Sequence, residues 1–419
     1  MPKLQYNLPV WVWQMLLMGL LGLSGIIFVP VLLRWTDPQL MATVLVAQVY
    51  VYYLVVLVQF GFAWSGPAAL ARAADDLEVA QVWRRSVRAK FLLMFVPVGL
   101  LFGVGFVGLA WGQWYLLGFV LLLVAFAANS NWLLQAQHHF AAGVGFAALG
   151  VALSALVLEV FADTFANQGV WVVLVLVLPQ VCLGVGSWWL AYRANKAHEA
   201  CACGSASVGS NWQASLDVLR QDAPLVASQL LLLASTTLGT VVVGHLADAN
   251  TTAAYAATEK LFNLAATVVV GLYMALYPRL AAMFYADRGL YWLKIKRLLL
   301  VCVCGGLGLA VLFAIAGPML MGLYLPTQMV QLVNPVLLPF ALWLGLCISQ
   351  HVLTSYLVLA ERHTMVLWVN GCVLAVTLLV GYALALHHPV AWVYGMLAGQ
   401  VVALVLLLAL YRKERALLL

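Results

Sequence analysis

The sequence predicts an all-α polytopic membrane protein of about 12 transmembrane helices, arranged as two six-helix lobes. Three observations carry that expectation. First, 65% of the 419 residues are hydrophobic and only 8% are charged, with a mean hydropathy of +1.03. A soluble domain carries about 25% charged residues and could not hide so much apolar surface. Second, the apolar stretches are blocks of Leu, Val and Ala of the roughly 20 residues that a bilayer-crossing helix requires. They lack the alternating period of a membrane barrel. Third, Lys and Arg are segregated to one set of connections, the mark of a fixed orientation in a membrane. The net charge of +6 therefore speaks of topology, and no nucleic-acid partner is expected.

Breaks at charge, Pro and Gly place the spans, in order, at 10–33, 41–64, 91–110, 115–135, 142–161 and 171–192. A second set follows at 223–246, 254–277, 298–317, 335–360, 364–386 and 391–411. Span 1 follows a start that holds only Lys3 and no small-residue cleavage site, so it reads as an uncleaved helix. Between spans 2 and 3 stand Arg72, Arg84, Arg85, Arg88 and Lys90; between spans 8 and 9 stand Arg279, Arg288, Lys294, Lys296 and Arg297. Lys3, Arg193, Lys196, Arg220, Arg362, Arg412, Lys413 and Arg415 fall on the same side, and only Arg34 falls on the other. Basic connections are retained in the cytoplasm, which puts both termini there.

The two richest basic connections resemble each other. Pro67-Ala-Ala-Leu-Ala-Arg72-Ala-Ala-Asp75 follows span 2 as Pro278-Arg279-Leu-Ala-Ala-Met-Phe-Tyr-Ala-Asp287 follows span 8. Spans 2 and 8 are equivalent in a six-plus-six repeat, an arrangement of transporters that bind substrate between the halves. This divides the chain into a lobe at 1–192, a cytoplasmic linker at 193–222 containing the small-residue run Cys201 to Ser210, and a lobe at 223–419.

No soluble domain, Gly-rich phosphate loop or nucleophile motif is present, so ATP-driven pumping and catalytic residues are not expected. Energy would come from an ion gradient, of protons or sodium, or from a substrate gradient, without a cofactor. The informative residues are polar groups at membrane depth, which usually face a cavity or a partner. In span 8, Glu259, Lys260, Asn263 and Thr267 fall within about a quarter turn of one another. In span 7, Gln229, Thr236 and Thr240 lie within about 40°, and His245 stands at its outer end. Span 2 adds Gln48 and Gln59 among tyrosines, and span 4 ends in Asn129-Ser130-Asn131-Trp132. Amides, hydroxyls and aromatic rings suit a glycan, although ordinary interhelical hydrogen bonding also explains any one of them.

Arg34 at the outer mouth of span 1, with Asp37 three residues on, reads either as a surface pair or as a cation lining an outward cavity with Lys260. Arg72 and Arg279 could meet an anionic headgroup from inside, or serve topology alone. His198, Cys201 and Cys203 lack the paired spacing of a zinc site, so no metal is expected, and the seven cysteines suggest no disulfide framework.

With these residues in view, the chain resembles bacterial polysaccharide flippases of the multidrug/oligosaccharidyl-lipid/polysaccharide (MOP) exporter superfamily, in particular the O-antigen (Wzx-type) translocases. The likeness rests on Gln59-Phe-Gly-Phe-Ala-Trp-Ser-Gly-Pro67 and on Trp132-Leu-Leu-Gln135-Ala-Gln137. It is strongest from Asp222 to Met283, through Asp222-Ala-Pro-Leu, Thr240-Val-Val-Val-Gly244, Ala254-Tyr-Ala-Ala-Thr-Glu259-Lys260 and Ala275-Leu-Tyr-Pro278-Arg279. The resemblance implies a V of two lobes, like that of the multidrug and toxin extrusion (MATE) transporters, opening alternately to each side around a cationic cavity. It implies an undecaprenyl-pyrophosphate-linked glycan as substrate, carried across the bacterial cytoplasmic (inner) membrane by a monomer in contact with membrane lipid, with a polysaccharide polymerase and chain-length regulator as further partners. Lys260, Arg34, Arg72 and Arg279 would then offset the pyrophosphate charge. Gln59, Gln229, Thr236, Asn263 and Thr267 would receive sugars, and Glu259 would couple transport to an ion. The alternatives are a peptidoglycan-precursor flippase, a multidrug antiporter, which would want an acidic cavity, and a membrane polymerase or ligase. The last needs a large outer loop, whereas the longest outer connection, Pro318 to Asn334, carries no charge.

Overall fold

In the computed structural model, residues 10–23, 27–60, 62, 76–109, 116–137, 139–161, 169–201, 212–360 and 362–416 are described. Among them there is no strand. The helices of the first half are α1 (Val10–Leu23), α2 (Val29–Trp35), α3 (Pro38–Gln59), α4 (Asp76–Leu109), α5 (Leu116–Ala128), α6 (Asn131–Ala136), α7 (Phe140–Val160) and α8 (Gly169–Cys201). The second half has α9 (Trp212–Leu246), α10 (Ala249–Ala286), α11 (Arg288–Tyr324), α12 (Thr327–Val333), α13 (Leu337–Leu359), α14 (His363–Ala385) and α15 (Trp392–Ala416). Among the described residues nine helices are long and apolar enough to cross a membrane, two shorter apolar stretches lie at Val12–Gly22 and Gly118–Leu134, and α10, at 38 residues, is about 57 Å long. The nine spans and two shorter stretches fall at eleven of the predicted positions, α10 covers the remaining one, and the protein is a multi-pass membrane protein.

Several boundaries differ from the sequence expectation, for physical reasons. The first span is divided between α1 and α2, with Pro30 in the first turn of α2, where its missing N–H costs nothing. The fourth span breaks at Asn129 and Ser130. The basic connections are helix rather than loop: Arg84, Arg85, Arg88 and Lys90 lie on α4, and Arg288, Lys294, Lys296 and Arg297 on α11. Nothing between Asp76 and Phe91 stops a helix, so α4 simply continues past the hydrocarbon. Pro318 does not end α11 either, so the supposed outer connection from Pro318 to Asn334 is mostly the end of α11 and the short α12. Helices α8 and α9 extend into the expected linker from both sides. Of the small-residue run, 202–211 lie outside the described residues, as does Cys203.

The bundle has a basic end and an opposite end, and the caps show how the long helices are set. Asp37 caps α3 at the opposite end, its Oδ2 accepting from the Gln39 and Leu40 amides at 3.1 and 3.2 Å. That carboxylate is therefore used by the helix terminus rather than held for Arg34. Asp248 caps α10, accepting from Thr251 N at 2.7 Å. Replacing Asp248 by Ala should cost about 1 kcal/mol and lower the thermal midpoint of the detergent-solubilised protein, whereas Asp248→Asn, which can still accept from the amide, should restore most of the loss. At the basic end Asp287 both closes α10 and caps α11, accepting from Leu290 N at 2.9 Å. Arg288 lies over the Phe284 ring at 5.2 Å and Arg193 over Trp189 at 4.3 Å, cations held against aromatic faces where helices leave the apolar layer.

Two packing details explain how the lobes tolerate breaks. Pro179 inside α8 cannot donate to Val175 O, its i−4 carbonyl. Ser154 of α7 donates to that carbonyl instead, at 2.9 Å. The close approach needs Gly150, where a Cβ would stand 2.5 Å from Pro179 Cα. At the α5–α6 break, Lys90 Nζ donates to Asn129 O at 2.8 Å, Trp83 Nε1 to Ser130 Oγ at 2.9 Å, and Ser130 N to Ser187 Oγ at 3.0 Å. Lys90 is thus a buried structural donor and not the loop cation that the sequence suggests.

The apolar cores divide unevenly. One large cluster unites both lobes, joining Leu32, Met41, Leu45 and Phe119 of the first to Tyr255, Phe262, Phe340 and Trp392 of the second. Its second-lobe members lie away from the basic end. Toward the basic end, the second lobe has its own cluster, including Tyr273, Trp292, Tyr356 and Tyr411, and the first a separate one of Trp83, Trp132, Leu133 and Ala191. Among the described residues no core cluster joins the lobes there.

Candidate functional site

The seam between the two halves is formed where α3 packs on α9 and α10 and where α1 packs on α10. Lys260 sits 12 residues past the Asp248 cap, about 18 Å along α10. Its Nζ donates to Gln48 Oε1 of α3 at 2.7 Å, and Gln48 Nε2 donates to Tyr52 O at the phenol, 3.3 Å away. A second cross-lobe pair, Tyr53 OH with Thr237 Oγ1 at 3.2 Å, lies beside it. Gln48 is buried while Lys260 is only partly so, which leaves the ammonium at the edge of the seam. A lysine at this depth is expected to have a partner, and here that partner belongs to the other lobe.

Glu259 turns elsewhere. It is 3% exposed, and its Oε2 accepts from Thr240 N of α9 at 3.1 Å. The Tyr255 hydroxyl, close by, donates to Met396 Sδ at 3.7 Å. Asn263 Nδ2 reaches Thr236 O at 3.4 Å. Thr240 N and Thr236 O are the two ends of one i→i−4 helical pair, so α10 grips a single turn of α9 from both sides. Gly239 makes this possible: a Cβ there would lie 2.4 Å from Tyr255 OH, 2.6 Å from Glu259 Oε2 and 2.7 Å from Trp392 Cδ1. The expected polar stripe of α10 is therefore split between Glu259 and Asn263 on α9 and Lys260 on α3.

The other sequence candidates scatter. Thr267 is exposed, its hydroxyl bonded to Asn263 O at 2.9 Å. Thr236 Oγ1 bonds its own helix at Leu233 O, 3.0 Å away. Gln59 is the last residue of α3, 11 residues and about 16 Å beyond Gln48, and so is not beside Lys260. Arg34 is exposed in the last turn of α2, and no contact among the described residues joins it to Lys260. Arg72 lies outside the described residues. Arg279 is on α10, at a position whose side chain is not described. Gln229 lines a separate chamber within the second lobe, with Ser228, Gln350, His351, Thr354 and Asn370. Those last four were missed by the sequence reading, although Ser349-Gln350-His351 inside an apolar run was a visible signal.

The helical, multi-pass bundle has the fold of solved membrane transporters. It matches an inward-facing MATE family multidrug transporter of the MOP superfamily with TM-score 0.67 at 15% identity, covering 99% of this chain and 97% of that one. It matches the lipid II flippase MurJ in an inward closed conformation with TM-score 0.67 at 11% identity, over 96% and 87% of the two chains. A mutant of the Vibrio cholerae MATE transporter VcmN matches with TM-score 0.63 at 18% identity, over 97% and 96%. Within that fold the chain belongs to the polysaccharide biosynthesis protein family, whose sequence profile it matches over residues 11–284. Among curated protein sequences none matches significantly.

Proposed function

We propose that the protein translocates an undecaprenyl-pyrophosphate-linked oligosaccharide, an O-antigen repeat or similar unit, from the cytoplasmic to the periplasmic leaflet by alternating access. The observation that carries this reading is the Lys260–Gln48 bond, a cation at membrane depth held by the opposite lobe. Opening the seam breaks that bond and frees the ammonium for an anion. A diphosphate presents such an anion, and moving it with its sugars through hydrocarbon unaided would be prohibitive. The isoprenoid tail stays in lipid. The shared core at the opposite end and the separate cores at the basic end suit a state whose halves part toward the basic side. By the positive-inside rule that side faces the cytoplasm.

Glu259 is proposed as the site that couples transport to a proton or sodium ion. It ties α10 to the Thr240 turn of α9, so an ion taken up at its carboxylate would loosen that grip. The family and the fold favour a flippase over a membrane polymerase or ligase. The likeness to MurJ makes a peptidoglycan-precursor flippase the second reading, differing in headgroup rather than mechanism.

The test is reconstitution of the full chain in proteoliposomes with an undecaprenyl-pyrophosphate-linked oligosaccharide, scoring its exposure to a membrane-impermeant lectin. The wild-type protein should accelerate exposure and respond to an imposed proton or sodium gradient. Glu259→Gln should still equilibrate the lipid but lose the gradient response. Transport of a lipid-linked muropeptide or a cationic drug, with none of the oligosaccharide lipid, would overturn the assignment.

A further inference from the structure

The second half of the chain holds a half-open chamber of about 60 Å³, mostly apolar in its lining but with a polar group of side chains on one wall; it has room for a few waters. Its polar wall is Ser228 and Gln229 of α9, Gln350, His351 and Thr354 of α13, and Asn370 of α14. Hydrogen bonding fixes the orientation of the two buried amides. Asn370 Nδ2 faces Ser228 O at 3.3 Å and Ser228 Oγ at 2.8 Å; a carbonyl can only accept, so that atom is the amide nitrogen. Asn370 Oδ1 must then accept, and it does so from Gln350 Nε2 at 3.0 Å. Gln350 Oε1 is left buried with no donor, in a side chain only 2% exposed.

His351 is constrained by the same logic. Its Nδ1 lies 2.9 Å from Cys347 O, again an obligate acceptor, so Nδ1 carries the hydrogen and Nε2 keeps its lone pair. The chamber thus combines a buried acceptor that has no donor with a histidine acceptor beside it in sequence. None of its lining residues is charged. The titratable groups nearby are Cys347, whose Sγ is 4.0 Å from Nδ1 on the same helix, and Tyr273 of α10, whose hydroxyl bonds to Ser355. From α9 the wall is Leu225, Ser228, Gln229 and Leu232, from α14 it is Val366 and Asn370, none of them titratable, and α11 and α15, which also pack on α13, contribute no residue to it.

We propose that this chamber is a proton-binding site centred on His351, separate from Glu259. A hydronium ion entering with water gives its proton to Nε2: the N–H bond forms as the hydronium O–H bond breaks, and a neutral water remains. That water accepts from the new N–H, and a turn of the buried Gln350 side chain toward it would bring Oε1 the donor that the amide lacks. The resulting cation sits among α9, α13 and α14, so proton uptake changes the packing of the helix that Glu259 and Asn263 also hold. The inference rests on the transport reading only for what the proton drives, and its test uses no glycan.

The experiment is a potentiometric proton titration of the purified full-length protein in detergent, comparing wild type with His351→Asn, whose amide can still donate to Cys347 O. Wild type should take up about one proton more than the variant between pH 8 and pH 4, a window that spans the ordinary histidine range and extends below it. The difference should persist in a Glu259→Gln background and in sodium-free buffer. Hydrogen exchange at α9 and α13 should change over the same pH interval in wild type and not in the variant. Superimposable titrations, or a difference that disappears with Glu259→Gln, would overturn the proposal. Where His351→Asn does not yield folded protein, His351→Gln replaces it in the same comparison. If the chamber titrates but no oligosaccharide lipid is moved, the transport assignment fails and the proton site stands.

Discussion

Lys260→Ala should abolish surface glycan display in a strain that depends on this protein, while the variant remains inserted at wild-type level. A charge-assisted hydrogen bond contributes about 1.5–3 kcal/mol, so losing the ammonium should slow lipid translocation in proteoliposomes roughly 10- to 100-fold. Lys260→Arg, which keeps the cation and can still reach an amide oxygen, should recover part of the rate. Lys260→Met separates the two roles of the residue, since it retains length but neither donor nor charge, and it should behave like the alanine variant. Full complementation by Lys260→Ala would show that the cross-lobe bond to Gln48 is only packing.

Gly239→Val is the second large effect. The added carbon would meet Tyr255 OH, Glu259 Oε2 and Trp392 Cδ1, all within 2.7 Å. The tyrosine hydroxyl and the carboxylate oxygen are tips of flexible side chains, so the turn can adjust, but only by pushing Glu259 off Thr240 N. Overpacking of this kind costs about 1–3 kcal/mol, read as a lower thermal midpoint. Transport and its gradient response should both fall to background. Gly308→Val is the control, because nothing lies within 4 Å of the position where its Cβ would be. Equal behaviour of the two variants would mean that the α9–α10 grip has no functional weight.

Much of the fold was legible because the bilayer imposes a length on every apolar run, and the spans follow from that length alone. Helix ends were less legible. Charged residues such as Arg84 and Lys90 suggested a loop, yet they are good helix formers and α4 continues through them. Lys260 stood out because a cation inside an apolar run demands a reason. Its partner did not, since Gln48 lies 212 residues away in sequence and is one of several glutamines in apolar runs. Angular position on one helix also misled: Glu259 and Lys260 are neighbours in sequence but face different helices, and only the packing of α10 between α3 and α9 separates their roles. Gln229 looked like part of the same lining as Thr236, whereas it lines a different pocket with residues of α13 and α14.

Asp287 joins two of the longest helices through one extended residue, with φ −147° and ψ 94°, and secures both: its amide closes α10 on Met283 O at 2.8 Å and its carbonyl starts α11 at Tyr291 N, 3.0 Å away. Such a joint has no slack. A tilt of one rod must be followed by the other, so a displacement felt at the Lys260 seam would be carried, as by a lever, to the lipid-facing flank of the molecule.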